Sequence, residues 1–347
     1  MFFSLNFGFL FYLNMLSGWG MGSVIGHRSI DDVVRDFGFL VNNFEKLLSK
    51  SRSKTNIKST KLGKYQKMLG DLSDMENREL SGLIGIVNKY LVMNHLFSPD
   101  SGISISDDKL MKILEGDAKV HDTNEDYNDD FFELSMAIRF AVAFNNYGDS
   151  SDIDLTTVCD VIAGKEYAIE CKYLHSLRGL RDNVAKAIEQ AKKRVDGGLA
   201  KLGIVALDLS NVCDNDKIWG FSQDVFSSFL KSYEKMASKG LFSNKIREDG
   251  VLSSIISDGN FSKLLNSYIA HEAESVFYSE FSKREFDKLN GDVIAIIYQT
   301  SNCFCFEFDN EVIPVPFRSM GYYVNPELPK LHYLATRGML NNLASGI

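Results

Sequence analysis

The sequence predicts an α/β protein, in which a mixed β-sheet is flanked by helices and preceded by an N-terminal helical region. Residues 157–172 combine strand-forming residues with a glycine-containing turn, which is the pattern of a β-hairpin. The runs 202–209 and 292–298 are apolar and of strand length. The second run is apolar on both faces, as expected of a buried central strand. We therefore expect both runs to lie in one sheet with the hairpin.

Helical periodicity predicts the elements that cover this sheet. Apolar residues recur at helical spacing over residues 29–50, after Ser29 as a suitable N-cap, and again from Asp182 to Val195. Further helices are expected at 76–96, 107–115, 221–239 and 260–285. Short strands rich in Phe and Val are expected to follow the run 292–298 up to about Tyr323.

The length of 347 residues exceeds that of one average domain. An acidic, turn-prone stretch from His121 to Asp130 divides the chain into two parts. We assign residues 1–120 to an N-terminal helical region. Residues 121–347 are assigned to the sheet-containing domain, with a C-terminal elaboration.

Composition restricts the class of protein. Hydrophobic residues make up 45% of the chain, which is ample for a core. The five cysteines are an odd number without the spacing of a disulfide framework, so we expect a reducing compartment and a cytoplasmic protein. Cys303 and Cys305 have no second pair and are interpreted as strand residues. The net charge of −8 argues against a general polyanion binder.

The first 25 residues are apolar and uncharged, rich in Phe, Leu and Gly. They are consistent with an ordinary folded terminus, with a start assigned too far upstream, or with a membrane anchor. No basic segment precedes the apolar run, and Ser4, Asn6, Asn14 and Ser17 interrupt it. We therefore favour the first two interpretations and expect no membrane partner.

Three charged residues lie on the predicted hairpin: Asp160, Glu170 and Lys172. Even intervals separate them, so a loop with an odd number of residues places all three side chains on one face. Charged groups on apolar strands cost several kcal/mol each unless they are paired or bound to metal. A divalent-metal site explains this cost, although Asp154 has the same parity and is an alternative first ligand.

The chemistry that suits these groups is phosphodiester hydrolysis. One or two carboxylates hold Mg²⁺ together with water and a substrate phosphate. The cation polarises the phosphate and lowers the pKa of a bound water. Lys172 lies on the face of Glu170 and can orient that water or stabilise the developing charge.

Asp160 followed by Ile169-Glu170-Cys171-Lys172 resembles the signature of the PD-(D/E)xK restriction-endonuclease-like nuclease superfamily. The stretch 131–137 looks like the first helix of that fold. The helix containing Ala187 and Gln190, followed by the strand at 202–210, looks like its second helix and last core strand. Cys159 stands where the signature has proline.

The resemblance implies an α-β-β-β-α-β order over residues 128–212 and a metal-dependent nuclease. It makes Asp160 and Glu170 metal ligands, with the Cys171 carbonyl as a further ligand, and it makes Lys172 the catalytic lysine. Glu133 and Gln190 would be auxiliary site residues. The implied cofactor is Mg²⁺, with Mn²⁺ as the alternative.

The implied partner is nucleic acid, DNA in preference to RNA, and cutting both strands of a duplex would favour a homodimer. Phage defence is a role that this superfamily often has. Two basic runs, 46–67 and 172–201, are candidate phosphate contacts, although a solvated linker and a solvated helix face explain them equally well. The alternative function is a catalytically inactive nucleic-acid-binding or assembly module with the same fold.

Overall fold

The computed structural model describes residues 29–51, 54–72, 75–120, 127–146, 152–240, 244–281, 286, 289 and 291–345. The expectations for the first 25 residues, and for most of the acidic stretch 121–130, lie outside the described residues. No helix in the described part of the chain is long and apolar enough to cross a membrane.

The fold is α/β, as predicted, and its centre is a seven-stranded mixed sheet in which the strands follow chain order. The strands are β1 (Ile103–Ser104), β2 (Ile153–Asp154), β3 (Val161–Ala163), β4 (Tyr167–Tyr173), β5 (Leu202–Asp208), β6 (Val293–Phe308) and β7 (Glu311–Val324). The pairs β1–β2, β4–β5 and β5–β6 are parallel, and the other neighbouring pairs are antiparallel.

Helices cover both faces of this sheet. They are α1 (Ile30–Lys50), α2 (Lys61–Leu69), α3 (Asn77–Leu91), α4 (Asp107–Met111), α5 (Tyr127–Asn146), α6 (Leu180–Asp196), α7 (Asn215–Ser238), α8 (Asn244–Ile256), α9 (Gly259–Glu280) and α10 (Lys330–Ser345). The predicted N-cap of α1 is confirmed, because the Ser29 side chain accepts a hydrogen bond from the Asp32 amide.

Strand alternation divides the core into two layers. Ile204 and Ala206 of β5 pack in the layer that contains helices α1, α2, α3 and α5. Val205 and Leu207 pack in the opposite layer, with α6 and α9. Both faces of β5 and of the first half of β6 are covered. The prediction that the run 292–298 is a central strand buried on both faces is therefore confirmed.

The N-terminal helices belong to the first of these layers. Val33 of α1, Leu83 of α3 and Ile297 of β6 are buried in the same cluster. The short strand β1 also joins the sheet. The division of the chain at residue 120 stays a prediction, but the helices before it share a core with the strands after it.

The prediction of several short strands after residue 298 is wrong. The structure has one long hairpin, in which β6 has 16 residues and β7 has 14. Its loop is Asp309-Asn310, and both residues have positive φ, as a type I′ turn requires. Pro314 and Pro316 interrupt the strand pattern in the sequence, but the end strand β7 tolerates them because it has a partner on one side only.

The interpretation of the basic run 46–67 as a flexible arm or a solvated linker is also wrong for part of the run. Residues 61–69 form α2, and Lys61, at its start, is only 1% exposed. The Lys61 ammonium lies 5.3 Å from the centre of the Tyr90 ring, a cation–π contact within the helical layer. This lysine is therefore part of the core, rather than of a flexible arm or a solvated linker.

Gly321 of β7 is expected to be sensitive to any side chain. A Cβ at this position would meet the ring of Tyr298, which is itself stacked on Phe277 with ring centroids 4.5 Å apart. The Gly321→Ala substitution should lower the free energy of unfolding by about 1–3 kcal/mol, through overpacking. Urea unfolding measures this change. Gly338→Ala, in open space on α10, is the control and should be neutral or stabilising.

Candidate active site

The hairpin that carries the predicted site is formed by β3 and β4. Val161 pairs with Ile169 and Ala163 pairs with Tyr167, which leaves a loop of three residues, Gly164-Lys165-Glu166. Gly164 and Lys165 both have positive φ. The loop is odd in number, so continuation of this register places Asp160 opposite Glu170.

Asp160 is not on a strand, which corrects the expectation that it stands on the first strand of the hairpin. The first residue of β3 is Val161. Asp160 Oδ2 accepts a hydrogen bond of 2.7 Å from the Cys171 amide. Because strand amides point sideways in the plane of the sheet, the Asp160 carboxylate lies at the edge of β4, beyond the end of β3. Lys172 Nζ is 4.0 Å from the same oxygen.

Glu170 is the most deeply buried charged group of the site, with a side chain that is only 1% exposed. Its Oε1 accepts a hydrogen bond of 2.8 Å from Arg194 Nε on α6. Among the described residues, its buried Oε2 has no hydrogen-bond partner at normal distance, although the Cys159 thiol is near enough to lower the pKa of Glu170. Burial, and then the charge of Asp160, raise the pKa of Glu170, whereas Arg194 lowers it. An unpaired buried carboxylate oxygen is costly, so this atom is a candidate contact for a cation or a proton donor.

Glu133 reaches the same region from α5, on the opposite face of the sheet. Its carboxylate forms an ion pair of 2.6 Å with Lys109 of α4. Lys109 Nζ also lies 3.5 Å from the Asp160 carbonyl oxygen. Burial, and then the charge of Asp160, raise the pKa of Glu133 to about 7. Asp160 therefore interacts electrostatically with both glutamates.

Gln190 lies on α6, one turn before Arg194. Residues four apart share a helix face, so Gln190 is on the side of α6 that reaches Glu170. Its Oε1 is buried, and none of the described residues forms a hydrogen bond with it. Two buried acceptors, on Gln190 and Glu170, thus lack donors in this layer.

Cys171 turns its thiol away from Glu170. The side chain is buried in the layer of α5, and burial raises the pKa of the thiol well above its usual value. A neutral buried thiol is a poor metal ligand. The assignment of the Cys171 carbonyl as a ligand stays a prediction.

Two residues of this region were not singled out from the sequence. Arg194 was counted only within a basic run, although its position four residues after Gln190 indicates a shared face. Lys109 is 51 residues before Asp160 and has no local pattern that relates them. Both contribute the positive charge that partly neutralises the buried carboxylates.

Two carboxylates, those of Asp160 and Glu170, are the candidate ligands for a divalent cation at this site. Among the described residues, no group of three or more His, Cys, Asp or Glu side chains is placed to hold a metal ion. Asp160 and Glu170 are nevertheless close enough for the charge of one to raise the pKa of the other, and Glu170 Oε2 is unpaired. A pair of hard oxygen donors completed by water fits Mg²⁺, which usually keeps several waters.

Comparisons of the chain with family models, with curated proteins and with solved structures found no match. The resemblance to the restriction-endonuclease-like nucleases therefore rests on the residues and element order of this chain alone.

The raised pKa of Glu133 predicts a pH dependence of stability. Between its usual value of 4.5 and about 7, folded Glu133 keeps a proton that the unfolded chain releases. The free energy of unfolding should therefore fall as pH rises through this window, by up to about 3 kcal/mol. Glu133→Gln should flatten this slope in urea unfolding at pH 5, 6 and 7. An identical slope in the wild type and the variant would contradict the assignment.

Proposed function

We propose that this protein is a metal-dependent nuclease with a restriction-endonuclease-like fold, hydrolysing phosphodiester bonds in DNA. The observation that carries the proposal is the buried Glu170, with one oxygen unpaired, beside Asp160 and two residues before Lys172. The order of elements supports it as well. Helix α5, strands β2, β3 and β4, helix α6 and strand β5 follow one another as α-β-β-β-α-β.

Asp160 and Glu170 would hold the cation, Mg²⁺ or alternatively Mn²⁺. When bound, the metal would polarise the scissile phosphate and lower the pKa of a coordinated water. Asp160 is held for this role by the Cys171 amide, which fixes one carboxylate oxygen and leaves the other for a ligand. Arg194 holds Glu170 through Oε1, so that Oε2 is the oxygen left for the cation.

Lys172 would act on the water and on the phosphate. Its ammonium lies 4.0 Å from Asp160, and its side chain is 25% exposed, so it can reach a substrate while it remains next to the carboxylates. A positive group in this position orients a water and stabilises the charge that develops on the phosphate. Glu133, with a pKa of about 7, can exchange a proton near neutral pH.

The proposal is tested by incubating the full chain with supercoiled plasmid, single-stranded DNA and RNA. Each substrate is combined with Mg²⁺, Mn²⁺ or EDTA. We expect cleavage of DNA that requires metal and stops in EDTA. Cleavage that is equal in EDTA, or absent with both metals for a folded protein, would contradict it. Chromatography with and without DNA tests the homodimer that cutting both strands favours.

The second candidate is a catalytically inactive nucleic-acid-binding or assembly module. It is favoured by the protein partners that both carboxylates already have, the Cys171 amide for Asp160 and Arg194 for Glu170. Thermal unfolding separates the two candidates. A protein with a functional metal site should gain thermal stability with Mg²⁺ or Mn²⁺, because a ligand that binds only the folded state stabilises it. The unfolding midpoint of an inactive module should not change.

A cytoplasmic location suits either candidate. All five cysteines are free thiols, four of them buried and Cys303 half-buried. Free thiols persist in a reducing compartment.

A further inference from the structure

A second polar cluster lies apart from the hairpin, between the sheet and α5. Asp208, at the end of β5, pairs with Gln299 of β6, and Ser301 of β6 pairs with Arg318 of β7. Paired residues point to the same face of a sheet, and Met320, the partner of Gln299 on β7, packs in the layer of α5. Asp208, Gln299 and Arg318 therefore face α5, which contributes Arg139.

Arg139 is a buried cation with few acceptors. It is only 2% exposed, and its Nη1 donates to the Met320 sulfur at 3.2 Å. Its Nε and Nη2 are buried and have no hydrogen-bond partner among the residues that the structure describes. A thioether is a weak acceptor, so most of the donor capacity of this guanidinium is unused. A buried charge in this state is destabilising unless something pairs with it.

The carboxylate of the cluster is already engaged. Asp208 Oδ1 accepts a hydrogen bond of 2.9 Å from the Ser210 amide, and Oδ2 accepts one of 2.7 Å from Gln299 Nε2. Burial, and then the charge of Arg318, lower the pKa of Arg139, whereas the charge of Asp208 raises it. Asp208 therefore acts on Arg139 through its charge, while its two carboxylate oxygens are bonded to Ser210 and Gln299.

Gln299 adds an unused acceptor to the cluster. Its Nε2 donates to Asp208, and its buried Oε1 has no hydrogen-bond partner within the described part of the chain. A ligand that completes the cluster must therefore be an anion that accepts from Arg139 and also carries a proton to donate. Hydrogen phosphate has both properties near neutral pH, whereas sulfate has no proton to give.

We propose that Arg139, Arg318 and Gln299 form a binding site for a protonated oxyanion, hydrogen phosphate or the terminal phosphate of a small molecule. Arg139 Nε and Nη2 supply the donors, and Gln299 Oε1 accepts a hydrogen bond from the phosphate hydroxyl. The burial of Arg139 excludes the backbone of a DNA duplex from this position, so the site is separate from the proposed nuclease centre.

The test measures the thermal unfolding midpoint and calorimetric binding of the full chain with phosphate, sulfate, chloride and a nucleoside monophosphate at matched ionic strength. We expect phosphate to raise the midpoint more than sulfate, and chloride to have no effect. Arg139→Met should raise the dissociation constant for phosphate at least tenfold. Arg35→Met, on the exposed face of α1, is the control and should bind as the wild type does.

Arg318→Met is the second variant, because Arg139→Met could fail to fold. Loss of phosphate binding in either folded variant supports the site. Unchanged phosphate binding in both variants, or no phosphate effect on the wild type, would overturn it. If sulfate and phosphate raise the midpoint equally, the proposal that the ligand must be protonated is overturned. Tighter binding of the nucleoside monophosphate than of free phosphate would identify the oxyanion as part of a larger molecule.

Discussion

Lys172→Ala is expected to reduce metal-dependent DNA cleavage by about 10²–10⁴-fold while the protein stays folded. The ammonium stands 4.0 Å from Asp160, where it would orient the water and stabilise charge on the phosphate. The side chain is partly exposed, so its loss opens no cavity in the core. Initial rates of plasmid nicking with saturating Mg²⁺ measure the effect.

The control for this variant is Lys239→Ala. Lys239 is an exposed lysine at the end of α7, distant in sequence from the hairpin. Its substitution removes the same charge as Lys172→Ala. Its cleavage rate should equal that of the wild type. A Lys172→Ala protein that is folded and cuts at the wild-type rate would remove Lys172 from the mechanism. Equal losses in both variants would indicate a general effect of charge on DNA binding.

Glu170→Gln is expected to abolish metal-induced stabilisation and to lower cleavage at least about 100-fold. The substitution keeps the shape of the side chain but removes the charge that would hold the cation, and a bound metal supplies several kcal/mol of transition-state stabilisation. It also leaves Arg194 facing a neutral partner. Thermal unfolding with and without Mg²⁺, together with nicking rates, provides the two measurements.

Two further variants sharpen this result. Glu166→Gln, in the hairpin loop, neutralises a partly exposed glutamate that pairs with Lys201 at 2.7 Å, and it should leave both measurements unchanged. Arg194→Gln removes the partner that lowers the pKa of Glu170, so that pKa should rise further. Metal binding needs the ionised carboxylate, and the Arg194→Gln protein should therefore require higher pH for cleavage. Wild-type metal stabilisation in Glu170→Gln would place the cation elsewhere.

Much of the architecture was predictable because it depends on local patterns. Apolar periodicity placed α1 and α6 closely, and the apolar runs placed β5 and the start of β6. The long β6–β7 hairpin was missed, since prolines in β7 look like breaks when the edge position of the strand is unknown. Helices α2, α8 and α10 were also missed.

The sequence alone determined which charged residues would meet on the hairpin. The three-residue loop sets the register of β3 and β4, and its continuation brings Asp160, just before β3, opposite Glu170. Only the tertiary structure decided what surrounds them. Arg194 on Glu170, Lys109 on Glu133 and the buried Arg139 depend on how distant helices pack against the sheet. These contacts join residues 24 or more positions apart, and no local periodicity specifies them.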